Sequence, residues 1–359
     1  MRFHLRRCRG LLAAAKNLRL SGRSGISPSQ SGSTSYSPRP SPRSVPPSDS
    51  LRRFRDFRKS LGQTPRLHRN TIELRGLHFA VFSTDDPGTG NLPVICVNGG
   101  LIFDHRILWP ALSSLAAQRQ VILYDQRGRG QSAIPPAPHA SRFEFDASDL
   151  AELPAALDLP QCHVLAHSWG GGIAMLSTAY QSDRVASLTL LNAVGLTSEW
   201  LPRLTEDAAA RLNGPALDRL LAADAAVRPD APTAADPDAL SEYAIAIAPA
   251  WFYAPELAAL LAPPRSDSVT GGAVLAKLRR DGYDWRAKIG QISMPTLLVH
   301  GTSDVLTLDM AEDTAQSLGP AASVLPVTDA GHNAFLEQPS IVFAAIDDFL
   351  SATERATAA

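Results

Sequence analysis

The chain has 359 residues, 45% of them hydrophobic and 19% charged, with Lys+Arg 34 against Asp+Glu 35. That is enough apolar material for a substantial core, which excludes a wholly disordered chain, and the balanced charge leaves no cationic excess for a nucleic-acid backbone as main partner. Cys8, Cys96 and Cys162 are too scattered for a disulfide framework or a Cys-x-x-Cys metal site, and the most apolar segment, Ala244 to Ala262, is broken by Pro249, Pro255 and Glu256, so no membrane span is expected.

Residues 1–50 hold nine Arg or Lys and one acid, Asp49, and twelve of the thirty residues from Ser21 to Ser50 are serine. Such a segment buries too little apolar area to offset its ordering entropy. Residues 1–60 therefore read as a basic, Ser/Pro-rich tail outside the fold. The Arg- and Ser-rich, acid-poor start with Leu11-Leu12-Ala13-Ala14-Ala15 fits an organelle transit peptide for a mitochondrion or plastid. A disordered tail or an upstream start, with a cytoplasmic protein, fits it too.

Ile72–Leu74 and Phe79–Ser83 are short β-type runs that suggest a hairpin turning at Arg75-Gly76. Pro93–Val97 is a near-continuous apolar strand ending at Asn98-Gly99-Gly100. Ile107, Leu108, Leu112 and Leu115 recur at helical spacing. Val121–Tyr124 is the next strand, and Phe143–Leu153 a helix kinked or ended by Pro154. A strand at Cys162–Ala166 leads to a helix at Gly170–Tyr180, and Ser187–Leu191 is another strand. Between Thr197 and Ile289 the alternation stops, and Ala/Leu/Pro-rich helical spacing replaces it. Its aromatics read mainly as a small core of its own. A strand at Thr296–His300, a helix near Asp309–Leu318, a strand at Ser323–Val327 and a helix at Ile341–Leu350 close the chain. The pattern is α/β with a mostly parallel, doubly wound sheet: a core of residues 61–196 and 290–359 with a helical insertion at 197–289.

The chemistry gathers at strand ends. Ala166-His167-Ser168-Trp169-Gly170-Gly171-Gly172 follows a strand and opens a helix, a nucleophile elbow with Ala166 in the first small-residue position. Ser168 needs a base and the base an orienting acid. His332, in the loop Asp329–Asn333, lies late in the chain after the last strand, and Asp304 follows the strand before it. Asp309 and Asp329 are alternatives for the acid, and Asp304 could instead be a turn cap. Oxyanion donors are expected from the N–H of Trp169 and from Gly100 or Leu101. Asp104 reads as the cap of the following helix. No phosphate-binding or dinucleotide fingerprint is present, so no cofactor and no metal is expected.

These motifs resemble the α/β-hydrolase superfamily, and within it the proline iminopeptidase branch. The resemblance rests on Gly99-Gly100, on Tyr124-Asp125-Gln126-Arg127-Gly128-Arg129-Gly130-Gln131-Ser132, on Ser168-Trp169-Gly170-Gly171, on Gly301–Asp304 and on Gly331-His332, and spans residues 70–350 or so. The D-Q-R-G-x-G-x-S stretch is more specific than the elbow, although related esterases and lyases carry a similar one. The resemblance implies that Asp125 and Arg127 tie loops together and that residues 197–289 form a cap over the site. In place of the family's His-Gly-Gly-Pro-Gly stand Asn98-Gly99-Gly100-Leu101-Ile102. Iminopeptidases resemble W-x-x-W-E in the cap, whose Glu binds the substrate's amino group. Here Trp251-Phe252-Tyr253-Ala254-Pro255-Glu256 lacks the second Trp and carries Glu one place late. Trp251, Phe252, Tyr253 and Glu256 are the substrate-binding candidates, with Glu242 as another acid.

The expected function is a serine hydrolase acting on a small apolar ester or amide, amino-terminal proline peptides included. The register of Glu256 favours neutral esters over proline amides. Esterase or lactonase, acyltransferase and cofactor-free perhydrolase are alternatives within enzymes. A ligand-binding receptor that kept the triad is the alternative outside them. The partner in each case is a small molecule or short peptide.

Overall fold

The computed structural model describes residues 49–358 apart from 229, 232–235 and 265–268; the expectations for residues 1–48 lie outside the described residues. Eight strands form one sheet in the order β1-β2-β4-β3-β5-β6-β7-β8. β1 (His68–Leu74) and β2 (Leu77–Ser83) make the expected hairpin, turning at Arg75 and Gly76, both at positive φ. β2 runs antiparallel to β4 (Val121–Tyr124), and every later neighbour pair is parallel. These are β3 (Val94–Val97), β5 (Cys162–His167), β6 (Val185–Leu191), β7 (Thr296–Gly301) and β8 (Ala322–Val327).

The apolar runs follow from burial on both faces. Ile95, Val97, Ile122 and Tyr124 point into one apolar cluster, while Val94, Cys96, Val121 and Leu123 point into the other. The first is closed by α2 (Phe143–Ala156), α3 (Trp169–Tyr180) and α9 (Leu308–Leu318). The second is closed by α10 (Ala334–Glu337) and α11 (Pro339–Ala358). Alternation of side chains along each strand makes this division automatic.

Four expectations are corrected. Residues 49–60, expected in the tail, form a helix, α1 (Asp49–Ser60), that packs on the core. Leu51, Phe54 and Phe57 pack against the second cluster, and Phe57 stacks on Phe343 at 5.5 Å between centroids. The helical spacing after the glycine loop forms 3-10 turns at His105–Ile107 and Ala111–Ala117 rather than an α-helix. Pro154 sits inside α2, in its last turn, and does not end it. α11 runs eight residues past Leu350, held by Glu354, which pairs with the fully buried Arg119 at 3.1 Å.

The insertion holds α4 (Leu204–Ala209), α5 (Gly214–Ala226), α6 (Pro237–Ile247), α7 (Val269–Asp281) and α8 (Arg286–Ile289). Among its described residues there is no strand, only the single bridge Thr197↔Asp284. Residue 290 is not a packing boundary, because Val274, Leu278, Trp285 and Ile289 share the cluster of α2 and α3. Among the described residues no helix is long and apolar enough to cross a membrane.

The contacts of α1 set a stability test. Three half-buried apolar side chains contribute roughly 1 kcal/mol each, and each kcal/mol moves Tm by about 2–4 °C in a chain of this size. A chain starting at Leu61 should therefore melt about 6–12 °C below one starting at Asp49. Equal melting temperatures in differential scanning calorimetry would show that α1 is dispensable.

Candidate active site

Ser168 follows β5 directly and caps α3 with φ 54 and ψ -123. A serine in the left-handed region carries strain of about 1–3 kcal/mol, tolerated only where the surroundings enforce it. Its N–H donates to Leu191 O at 2.9 Å, and its carbonyl accepts from Gly171 N at 2.9 Å. The turn fits because Gly170 has no Cβ: one there would stand 2.6 Å from the carbonyl oxygens of both Val97 and Asn98. Ala166, in the first elbow position, is fully buried.

β3 lies beside β5, so its glycine loop ends against the elbow. A Cβ on Gly99 would fall 2.6 Å from Ser168 Cβ. The Asp125–Ser132 turn props this loop from behind. Gln126 Nε2 donates to Asn98 O at 3.0 Å, and Arg129 Nε to Leu101 O at 3.0 Å. Asp125 accepts from His105 N at 2.9 Å and Gln131 N at 2.8 Å, while Arg127 grips Asp149 from Nε at 2.6 Å. Asn98 turns its amide inward to Gly99 O and Phe103 O, both at 3.2 Å. Asp104 caps the next turn by accepting from Arg106 N at 3.0 Å.

His332 follows β8 and Asp304 follows β7, so both reach the same sheet edge as Ser168. His332 Nε2 is 2.7 Å from Ser168 Oγ, and His332 Nδ1 is 2.8 Å from Asp304 Oδ2. Asp304 also accepts from Asn192 Nδ2 at 2.8 Å and Leu306 N at 3.0 Å. Its burial acts to raise the carboxyl, but the charge and hydrogen bond of His332, then His300 and Leu306 N–H, hold it below the ordinary value. An ionised Asp304 can only accept, so Nδ1 of His332 carries the proton and Nε2 presents its lone pair to the seryl hydroxyl. His167 packs beside His332, with ring centroids 5.0 Å apart. Burial, and then the charge of His332, pull His167 down to about 3, so it is neutral. Its Nε2 donates to His332 O at 3.0 Å and fixes that loop.

Ser168, Trp169, Gly100, Leu101 and His332 all face one chamber of about 130 Å³. Among the described residues no Asp, Glu, Lys or Arg lines it; the walls are side chains such as Ile107, Trp200, Leu240, Tyr243, Ile247 and Trp251. The main-chain N–H groups of Gly100, Leu101 and Trp169 make no hydrogen bond within the described chain. A wider open groove of about 720 Å³, between Pro135–Arg142 and α7, contains none of these residues.

The cap candidates separate. Trp251 lines the chamber, Phe252 is buried in the second apolar cluster, and Tyr253 is 52% exposed. Glu256 is exposed on the outer surface, because Pro255 opens a 3-10 turn there. Glu242 is paired on the surface with Arg219 at 2.6 Å. The cap aromatics divide: Tyr243 and Trp251 pack against a small apolar cluster of the insertion that includes Ala208, Leu220 and Ile247, as expected, whereas Tyr283 and Trp285 stack together beside Trp169, and Trp200 and Tyr243 face the chamber. Asn192 and Glu337 went unread in the sequence. Asn192 carried a faint signal, a polar residue closing the apolar strand β6.

A family model described as the alpha/beta hydrolase fold matches residues 93–339.

The chain belongs to the α/β-hydrolase fold family.

It is 27% identical over 259 residues to 3-oxoadipate enol-lactonase 1 of Acinetobacter baylyi, covering 70% of this chain and 86% of that protein. It is 26% identical over 284 residues to a proline iminopeptidase of Levilactobacillus brevis, covering 74% of this chain and 90% of the relative. An enol-lactonase structure from Burkholderia xenovorans LB400 superposes with TM-score 0.59 at 22% identity, over 79% of this chain and all of that chain. The relatives named in these comparisons are hydrolases.

Asp304→Asn should leave this α/β-hydrolase folded and lower kcat by a factor that approaches about 10⁴, because the amide turns a donor toward His332. Asp329 is exposed, at φ 51, and His332 Nδ1 bonds to Asp304 instead, so Asp329→Asn should keep wild-type kcat. A dead Asp329→Asn beside an active Asp304→Asn would reverse the assignment.

Proposed function

We propose that this chain is a serine hydrolase that cleaves neutral, apolar esters by two-step acyl transfer. The supporting observation is the hydrogen-bonded line Asp304–His332–Ser168 at a chamber that no Asp, Glu, Lys or Arg lines among the described residues. His332 Nε2 takes the Ser168 proton as Oγ attacks the ester carbonyl. The N–H of Trp169 and that of Gly100 or Leu101 receive the developing oxyanion. His332 then protonates the leaving alcohol, and water, activated by the same nitrogen, releases the acyl group.

The chamber argues for an uncharged acyl group. An amino-terminal proline substrate brings an ammonium, and its burial without a carboxylate partner is uncompensated. Glu256 is exposed and Glu242 is ion-paired outside, so neither supplies that partner. Sequence similarity extends to lactonases and iminopeptidases alike; the wall chemistry favours the ester side.

Ser168→Ala should lower turnover by about 10⁴ or more with the fold kept. A fluorophosphonate should label the wild type at Ser168 and leave the variant unlabelled. Turnover of a short-chain p-nitrophenyl ester, corrected for its leaving group, should exceed that of proline p-nitroanilide. A preference for the free-amino proline substrate that is lost in Glu256→Gln or Glu242→Gln would overturn the ester reading.

A further inference from the structure

Glu337, at the end of α10, is fully buried and outside the Asp304–His332–Ser168 line. Its two oxygens serve different segments. Oε2 accepts from Gly331 N at 2.6 Å, and Oε1 accepts from Ala254 N at 2.8 Å. Tyr253 N–H bonds to the same carboxylate. Gly331 is the residue before His332, and Ala254 belongs to the cap segment that begins at Trp251. His332 N itself donates to Trp251 O at 2.6 Å. Close approach is possible because Gly331 has no side chain: a Cβ there would stand 2.5 Å from Trp251 O. The histidine backbone is thus fastened to the chamber wall at two successive residues, and Trp251's ring lies 5.5 Å from that of His332.

We propose that Glu337 is a positioning residue whose carboxylate clamps the His332 loop to the cap segment 251–254, setting Nε2 within reach of Ser168 and coupling that setting to the substrate chamber. The inference rests on the acyl-transfer reading above. A carboxylate suits the task because both of its oxygens accept, whereas an amide keeps one acceptor and turns N–H groups toward the other donor. A merely space-filling side chain here would need no charge, which is costly to bury. Burial pushes the Glu337 carboxyl up to about 7, against the pull of the Gly331, Ala254 and Tyr253 N–H groups; the charge of Asp304 adds to the rise. From α1, Arg53 Nε donates to the main-chain carbonyl of Glu337 at 3.3 Å. As pH falls through about 7 the clamp gains a proton and loses an acceptor.

The test compares wild type, Glu337→Gln, Glu337→Asp and Ser168→Ala on a short-chain p-nitrophenyl ester across the acid limb. kcat is expressed per fluorophosphonate-titrated site for the wild type and the Glu337 variants, so that misfolded protein does not count, and per mole of monomeric folded protein for Ser168→Ala, which has no site to titrate. Glu337→Gln should lower kcat per site by about tenfold or more while KM stays within about twofold. The acid limb should follow two protons in the wild type and one in the Gln variant. If Glu337→Gln does not fold, Glu337→Asp decides by the same kcat reading, since its carboxylate is one methylene short of both donors. Wild-type kcat per site with an unchanged limb, whatever the melting temperature, overturns the clamp. Undiminished turnover in Ser168→Ala would instead sink the acyl-transfer reading; a dead Ser168→Ala beside an unaltered Glu337→Gln sinks the clamp alone.

Discussion

The arrangement around Ser168 depends on one buried negative charge. Asp304 sits 4% exposed and keeps its ionised form because it accepts from His332, Asn192 and Leu306. A lone carboxylate in that position would protonate, since desolvation penalises the charged form. The charge and hydrogen bond of His332, then the charge of His300 and the Leu306 N–H, reverse the outcome. The ionised acid then dictates which nitrogen of His332 bears hydrogen, and so which atom faces Ser168 Oγ. Asn192 also donates to Gly331 O at 3.0 Å, tying the acid's turn to the histidine's. Arg211 from the cap donates to Asp304 O at 2.6 Å. The cap therefore touches the acid as well as the base.

The parallel sheet brings these groups together. β3, β5, β7 and β8 all release their chains at one edge, and each contributes one part: the glycine loop, Ser168, Asp304 and His332. Such edges are where ligands bind in open α/β sheets. The strained serine is tolerated there because backbone carbonyls of the β3 loop and Leu191 O of β6 enclose the turn on both sides.

How much of this was legible in the sequence depended on how local the signal was. Strand–helix alternation and the order Ser168, Asp304, His332 could be read because each motif sits within a few residues. Pairings across long separations could not. Glu337 lies 83 residues from Ala254, and neither neighbourhood carries a motif. α1 was hidden by its arginines, which make the stretch look like a continuation of the basic tail, although Leu51, Phe54 and Phe57 recur every third residue on one face. The 3-10 turns after the glycine loop share their apolar spacing with an α-helix over so short a run. The cap aromatics gave residue type without direction, so Trp251 and Tyr253 looked alike although one faces the chamber and the other solvent. The shift of Glu256 out of the iminopeptidase pattern was visible in the sequence, whereas its exposed position depends on the 3-10 turn that Pro255 opens.

Everything proposed for the reaction turns on a substrate acyl group passing through Ser168. Rapid acid quench of the wild-type chain with a slowly deacylating aryl ester, followed by mass spectrometry of the peptides, reads that step without intermediaries. The acyl mass should appear on the peptide that contains Ser168, at a stoichiometry that decays at the turnover rate. Product formation with the acyl mass on another residue, or with no acyl-enzyme at any quench time after a full burst of alcohol release, would contradict it.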